Sequence, residues 1–499
     1  MASFIAIFCG VIASAIAYRL LRIYQYNNLA RRNGCASPKQ YPHKDPVFGF
    51  DLFLQAGKMF SEHTFLPVFF QRYKENGRTF ETKTLGAPTI CSCDPDNLQS
   101  VFASNARNWG VSYRLPALNA YCGKGFLTTD GPEWERSRQL FSSSFSRANI
   151  KDHTTYEHYL QLMLKQIPRD ETTTDLQQLI FSLYLDTATL FLFGESFESL
   201  ARGLQGDAQE FIDSFGYSLG GGGLRMALGP LKFLHRDAKW HKSNAQNHAF
   251  IEKYVDSALE RKANGQLKTS NSSKRPVLLD LMAENMDDRV QLRNEATQAF
   301  VAAHETTACL ISNIVYLLAR NPDIQAKVRE EAKSTGSTPL DFDAAMKMKY
   351  LQNVINEALR LYPVFPYHIR EAFSDCILPT GGGSDGKSPI YIQAGTLFDA
   401  NFAVLHRSPE IWGSDADQFK PERWNTFKPK AWEYAPFGGG PRSCVGKQKA
   451  LMETSYFVAR LLQEFDNIES RDEREWVGQM QITAKNLHGC KVKLTPAVE

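Results

Sequence analysis

Apolar and polar positions recur along this chain with a helical period, and the first apolar stretch has no period at all. Ala2 to Tyr18 is uncharged and mostly apolar, and Arg19, Arg22, Arg31 and Arg32 follow it. A bilayer-spanning helix needs about 20 such residues, within a range of about 17–25. A cleaved signal peptide would carry its positive charge ahead of the apolar run. Here the basic residues come after it, which predicts a retained anchor over 1–24 with the remainder on the cytoplasmic side. Residues 25–50 are basic and contain Pro38, Pro42 and Pro46, predicting a stiff hinge. The folded body is expected over 51–499.

Within that body, Tyr156 to Leu259 reads as successive amphipathic helices. Gly220 to Gly223 interrupt them and predict a flexible connector, part of a lid over a substrate entrance. Asn264 to Pro276 is polar and aperiodic, hence a surface loop. Asp287 to Arg320 contains neither Pro nor Gly, is rich in Ala, Leu and Ile, and predicts one long buried helix stopped by Asn321-Pro322. Tyr350 to Tyr362 predicts another, ended before Pro363. Asp130 and Pro132 open a helix that carries Trp134 and Arg138, four apart, on one face. Leu378 to Ile390 is a Gly-rich hairpin connection, and Lys447 to Phe465 is helical. The expected class is mainly α with a smaller β portion.

Composition sharpens this picture in two respects. A net charge of +3 is close to balance and gives no reason to expect nucleic acid as a partner. The nine cysteines are scattered without a framework, which fits a reducing compartment for most of the chain.

The chemistry concentrates in Phe437-Gly438-Gly439-Gly440-Pro441-Arg442-Ser443-Cys444-Val445-Gly446. Glycines let this backbone approach a flat partner closely. A thiol just ahead of a helix N-terminus sits in a positive field that favours thiolate, a metal ligand. The string resembles the haem-binding loop of cytochromes P-450, F-x-x-G-x-R-x-C-x-G, at Phe437, Gly440, Arg442, Cys444 and Gly446. The resemblance implies the cytochrome P450 fold and a haem b whose iron takes the Cys444 thiolate as axial ligand, favouring O–O cleavage.

Further matches appear in the family's order. Trp134 and Arg138 fit its W-x-x-x-R pair, and both are pure donors suited to a haem propionate. Arg370 matches its strand arginine near a propionate. Ala302-Ala303-His304-Glu305-Thr306-Thr307 resembles A-G-x-[DE]-T-T, with Ala303 where glycine is usual. The resemblance assigns Glu305 and Thr306 to a proton relay for oxygen activation, and Thr306 is expected to bond its i−4 carbonyl. Glu357 and Arg360 form its E-x-x-R, and Arg423 in Pro421-Glu422-Arg423 completes a structural Glu–Arg–Arg network. Val301, Ala302, Val364 and Phe365 occupy segments that line the family's distal pocket.

These matches imply a membrane-anchored haem-thiolate monooxygenase of the endoplasmic reticulum, single-pass, with its catalytic domain in the cytoplasm. It would insert one atom of O2 into an apolar substrate. Electrons would come from NADPH through a flavin-containing cytochrome P450 reductase, because the chain holds no flavin or dinucleotide fingerprint. Arg136, Lys447 and Lys449 are candidate contacts for that acidic partner. Residues 42–51, 378–390 and 486–492 resemble the fungal alkane and fatty-acid hydroxylases, which makes hydroxylation of such a chain the first expectation. Oxidation of a fungal polyketide or terpenoid intermediate is the second. A haem isomerase or dehydratase, or a non-enzymatic haem sensor, would not need the acid–threonine pair.

Overall fold

The computed structural model describes residues 24–145, 150, 153–267, 276–334 and 340–497, with Gly10, Ser14, Ala17 and Leu21. The chain first adds β1 (Lys39–Gln40) to a sheet, then forms α1 (Phe50–Ser61), α2 (Phe65–Asn76), β2 (Thr79–Thr84), β3 (Ala87–Ser92), β4 (Trp109–Gly110) and α3 (Leu115–Cys122). The helical half follows: α4 (Gly131–Ser144), α5 (His153–Leu164), the short β5 (Thr174–Asp175), α6 (Leu176–Phe193), α7 (Gly206–Leu228), α8 (Ala238–Ala263), α9 (Arg289–Ala303), α10 (Thr306–Leu318), α11 (Pro322–Ser334) and α12 (Lys349–Leu361). Strands β6 (Tyr367–Ala372), β7 (Cys376–Gly382), β8 (Ser388–Ile392) and β9 (Leu397–Asn401) come next. Helix α13 (Lys447–Glu464) and strands β10 (Phe465–Ser470), β11 (Gly478–Met480), β12 (Ala484–Asn486) and β13 (Lys491–Pro496) complete the chain.

The main sheet has six strands in the order β1-β2-β3-β9-β6-β4. Strands β10, β13 and β5 form a second sheet, and β7–β8 and β11–β12 are hairpins. Aspartates start the long helices by accepting orphan amide protons: Asp175 from Gln177, Asp237 from Lys239 and Trp240, and Asp288 from Val290 and Gln291. Pro322 occupies the start of α11, where its missing N–H costs nothing.

Two apolar clusters meet at α9 and α10. One packs α10 against α12 and α13 through Ile311, Ile314, Val315, Leu351, Tyr456 and Phe457. The other packs α9 against α7 and α8 through Phe211, Phe215, Trp240, Ile251 and Phe300. Among the described residues, Leu176–Phe193 and Arg289–Leu318 are long and apolar enough to cross a bilayer, but each is 72% buried inside the protein. They are core helices. The expected anchor, Ala2 to Tyr18, lies outside the described residues except for Gly10, Ser14 and Ala17.

Three expectations are corrected. The Pro-rich stretch is no free spacer, since Lys39 and Gln40 pair with Phe80 and Glu81 and Pro38 bridges to Gly382. His43 accepts from the Lys83 amide at 3.0 Å and faces Asp51 at 3.0 Å, so the segment is part of the folded body. Gly220 to Gly223 form no connector and lie inside α7. A Cβ on Gly221 would stand 2.1 Å from the Trp240 ring, and one on Gly222 2.7 Å from Leu118. These glycines let α7 seat close against α8 and α3, which offsets their poor helix propensity. Finally, the long helix expected over 287–320 is two helices, α9 and α10, separated at His304 and Glu305.

Candidate active site

The cysteine loop is clamped before it reaches the thiol. Gly440 has φ +65°, and a Cβ there would fall 1.9 Å from the Phe102 carbonyl oxygen. A Cβ on Gly439 would meet the Trp432 ring at 2.5 Å. Cys444 N–H donates to the Phe437 carbonyl at 3.0 Å and closes the loop, and α13 begins three residues later at Lys447. Phe437 packs against the α10–α13 core, while Gly446 caps α13.

The Cys444 residue is exposed, unlike the buried cysteines 91, 93, 122, 309, 376 and 490. Protein packed around the sulfur still desolvates it, and this raises the thiol pKa. The amides of Gly446 and Lys447 and the charges of Arg138 and Lys447 pull it down. The helix-terminus field and the neighbouring cations thus favour the thiolate while desolvation opposes it.

Four guanidinium groups gather near this loop, on Arg114, Arg138, Arg370 and Arg442. Arg442 stacks on the Trp134 ring at 4.3 Å and donates to Asp130 at 2.5 Å and the Thr129 carbonyl at 2.8 Å. Among the described residues Asp130 is the one carboxylate paired with the group, and its other oxygen accepts the amides of Val111 and Ser112. Arg370 is only 8% exposed and has no carboxylate partner among the described residues. It donates to the Ile369 carbonyl at 3.0 Å and lies over Phe102 at 4.7 Å. Burial, then Arg114, lowers its pKa to about 9. Burial likewise lowers Arg442 to about 10, and it lowers Arg138 too. Arg114 donates weakly to the Ile369 and Leu127 carbonyls. Buried cations outnumbering their acids need an external anion. A flat dianionic group with a metal for the open sulfur fits this cradle. The Trp134 indole N–H has no protein acceptor among the described residues and remains available to it.

The α9–α10 junction supplies the acid and hydroxyl. Thr306 Oγ1 donates to the Ala302 carbonyl at 3.1 Å, the i−4 bond expected from sequence, and the ladder loosens there without Pro or Gly. Glu305 does not hydrogen-bond Thr306. Its Oε2 accepts from Thr483 at 3.0 Å, and its Oε1 lies 3.9 Å from Lys485 Nζ. His304 Nδ1–H donates to the Phe300 carbonyl at 3.0 Å, and the ring stacks on that of Phe300 and meets Phe215 edge-on at 5.0 Å. Burial lowers its pKa, so it is held neutral against α7. Ala302 and Phe365 are half-buried, whereas Val301 and Val364 are buried in the two core clusters.

The Glu–Arg–Arg network is fully formed. Arg360 grips Glu357 with two bonds, at 2.8 and 2.9 Å, and both residues are completely buried. Arg423 Nε reaches Glu357 at 3.4 Å, and its Nη1 reaches Asp415 at 2.7 Å. Trp424 Nε1 and the Lys420 amide also donate to Glu357, at 3.0 Å each. Arg360 donates to the His406 carbonyl, and His406 Nε2 accepts the Ala435 amide at 3.1 Å. Burial, then Arg360, lowers His406 to about 3, keeping that acceptor free. The network thus reaches the start of the cysteine loop.

The structure brings Cys444, Arg442, Arg138, Trp134 and Arg370 together. It adds Arg114 and Asp130, which the sequence reading did not assign to the site. An arginine between two short turns gives no periodic signal. It also adds Tyr121, 1% exposed, whose hydroxyl has no hydrogen-bond partner among the described residues and whose ring meets Phe215 at 6.1 Å. Of the expected partner contacts, Arg136 and Lys447 are exposed, but Lys449 pairs with Glu453 and is no free docking charge.

Comparison with known proteins gives one family throughout. The family model described as Cytochrome P450 matches residues 41–485. The chain is 34% identical over 499 residues to the cytochrome P450 monooxygenase himC of Aspergillus japonicus, covering 99% of this chain and 90% of that one. It is 35% identical over 476 residues to the cytochrome P450 monooxygenase fsdH of Fusarium heterosporum, covering 93% and 83%. It is 35% identical over 481 residues to the cytochrome P450 monooxygenase apdE of Emericella nidulans, covering 95% and 91%.

Proposed function

The chain belongs to the cytochrome P450 family and is a haem-thiolate monooxygenase, and on that footing we propose that it oxidises an apolar intermediate of fungal secondary metabolism, a polyketide or terpenoid. Cys444 Sγ would hold the iron, and Arg114, Arg138, Arg370, Arg442 and Trp134 would hold the propionates. When bound, the haem supplies O2 activation at its iron, with electrons from NADPH through a partner reductase. Everything else falls to the side chains. Gly439 and Gly440 let the cysteine loop pack against Trp432 and Phe102, and Thr306 Oγ1 would hold a proton donor at the helix break. Glu305 supplies that proton from the protein side.

The observation that carries the reading is an open thiol beside four guanidiniums with one paired carboxylate. Purified protein reduced under carbon monoxide should give the red-shifted Soret band of a thiolate-ligated haem, and folded protein without it would end the reading. The substrate class rests on the fungal monooxygenase relatives and on the unpartnered Tyr121 hydroxyl, which suits a molecule carrying a polar group. A titration of spectral shifts should favour cyclic polyketides and terpenoids over fatty acids, with the preference reduced by Tyr121→Phe. Saturation by fatty acids or alkanes alone would support the second reading, chain hydroxylation, which the hairpin and hinge resemblances favour. Residues 1–24 are proposed to anchor the enzyme in the endoplasmic reticulum membrane, catalytic domain outward to the cytoplasm. Alkaline carbonate should leave it in the membrane pellet, and its release would refute the anchor.

A further inference from the structure

We propose that Gln298 is a positioning residue for the haem arginines, setting where Arg442 and Arg114 stand through the loop that follows α3; the proposal rests on the haem-thiolate reading above. Gln291, Asn294, Glu295 and Gln298 recur at i, i+3, i+4 and i+7 and form one polar face of α9. That face meets residues 123–129, in the connection from α3 to α4. Gln298 is fully buried. Its Oε1 accepts the Leu127 amide at 2.7 Å, and its Nε2 donates to the Cys122 and Gly123 carbonyls at 3.0 and 3.1 Å and to Thr128 Oγ1 at 3.2 Å. A Cβ on Gly125 would stand 2.7 Å from Gln298 Nε2, and one on Gly123 2.3 Å from Asn294 Nδ2, so the loop backbone lies directly on this face. The loop is also closed on itself. The Thr128 and Thr129 hydroxyls donate to the Gly123 and Gly125 carbonyls, at 2.8 Å each.

Carbonyls of the same loop receive the arginines. Arg442 donates to the Phe126 carbonyl at 3.4 Å and to the Thr129 carbonyl at 2.8 Å, and Arg114 donates to the Leu127 carbonyl at 3.4 Å. One peptide group is therefore shared. The Phe126–Leu127 unit gives its N–H to Gln298 and takes Arg442 on its C=O. A trans peptide points these two groups in opposite directions, so Gln298 and Arg442 hold the loop from opposite sides. Among the described residues this peptide has no other hydrogen bond. Without the Gln298 oxygen the Leu127 amide is left unpaired, and the peptide turns to seek another acceptor. Its carbonyl then leaves Arg442, and the guanidiniums shift from where they would meet the propionates. Cations held beside a bound haem favour its reduced, more negative state, so moving them away lowers its potential.

The test compares Gln298→Met, Gln298→Glu and Asn294→Ala in the full-length haem enzyme. Methionine keeps the length of the side chain without its amide. A glutamic acid buried there is kept neutral by desolvation and retains an acceptor oxygen and one donor. Asn294→Ala alters the same helix face at Gly123 without reaching the shared peptide. In Gln298→Met the propionate-bending band of the resonance Raman spectrum should move, and haem transfer to apomyoglobin should quicken about tenfold. At a fixed poise the ratio of ferrous to ferric haem should fall about threefold, or ~30 mV at about 59 mV per tenfold change. Gln298→Glu should restore the parent's values, haem loading included where Gln298→Met loads poorly, and Asn294→Ala should keep them. Three results would each overturn the assignment while the red-shifted Soret band of the reduced carbon monoxide complex stands: a parental band and potential in Gln298→Met, the same displacement in Gln298→Glu, or the same displacement in Asn294→Ala. Folded parent protein without that Soret band would overturn the haem-thiolate reading, and the assignment with it.

Discussion

At the scale of single residues, the arginines near Cys444 show how a site can be built against its own apoprotein. Among the described residues, buried Arg370 hydrogen-bonds a carbonyl and lies over an aromatic face, with no carboxylate paired to it. Such a cation destabilises the empty protein and is relieved when an anion arrives. Arg370→Gln should therefore have opposite effects on the two forms. The haem-free protein should melt higher, by about 1–3 kcal/mol in stability, while haem is lost more readily on dilution into apomyoglobin. If both forms shift the same way, the cation is not waiting for an anion. Cys444 teaches a related lesson. The sequence places a thiol before a helix and predicts thiolate, while the desolvation that opposes the helix field is felt only in three dimensions. Tyr121 and Arg114 were invisible for the same reason: a lone residue has no period, and its value lies in what the fold leaves unpaired around it.

Among the elements, the most instructive is α7. Four consecutive glycines read as a breaker in the sequence, yet the structure uses them as spacers between packed helices. The two uses are distinguishable by substitution. Gly221→Ala would drive a methyl into the Trp240 indole and should cost about 1–3 kcal/mol, whereas Gly223 has nothing within 4 Å and Gly223→Ala should stabilise by about 0.5–1 kcal/mol. Thermal unfolding of the two variants separates them, and equal behaviour would restore the connector reading. The remaining helices were legible because their ends are written in local chemistry: Asp175, Asp237 and Asp288 at starts, Pro322 and Pro363 beyond stops. The interruption between α9 and α10 was not. No Pro or Gly marks it, and it depends on Thr306 bonding back to Ala302 and on Glu305 being drawn out to Thr483, a partner distant in the chain.

For the molecule as a whole, two buried charges set the stability. Glu357 serves Arg360, Arg423, Trp424 and the Lys420 amide at once, and the chain of bonds continues through His406 to Ala435. Glu357→Ala should strand Arg360, cost about 3–5 kcal/mol and yield protein without haem, as read from the ratio of Soret to protein absorbance. Normal haem content would show that the network is dispensable. Asp399, in the main sheet, is the second case. Its Oδ1 is buried without a hydrogen-bond partner among the described residues, and burial raises its pKa from 3.8 to about 7, with Arg72 opposing. The folded protein then keeps a proton that the unfolded chain gives up, so the stabilisation is full below the ordinary carboxyl range and is lost as pH rises through about 7. Asp399→Asn should remove this decline. Its stability relative to the parent should rise between about pH 4 and pH 7 and level off above, by at most about 1.4 kcal/mol per pH unit, measured by urea unfolding. A flat difference would mean that the carboxyl titrates normally. The stitching of the Pro-rich stretch into the sheet has a practical consequence for handling the enzyme. Because Pro38, Lys39, Gln40 and His43 are bonded into the fold, and Tyr26 reaches the Tyr391 carbonyl, a shortened version trimmed just ahead of Tyr24 keeps all of these fastenings. A cut placed after Phe50, at the border expected from sequence, would instead strip an edge strand from the sheet and leave an insoluble product.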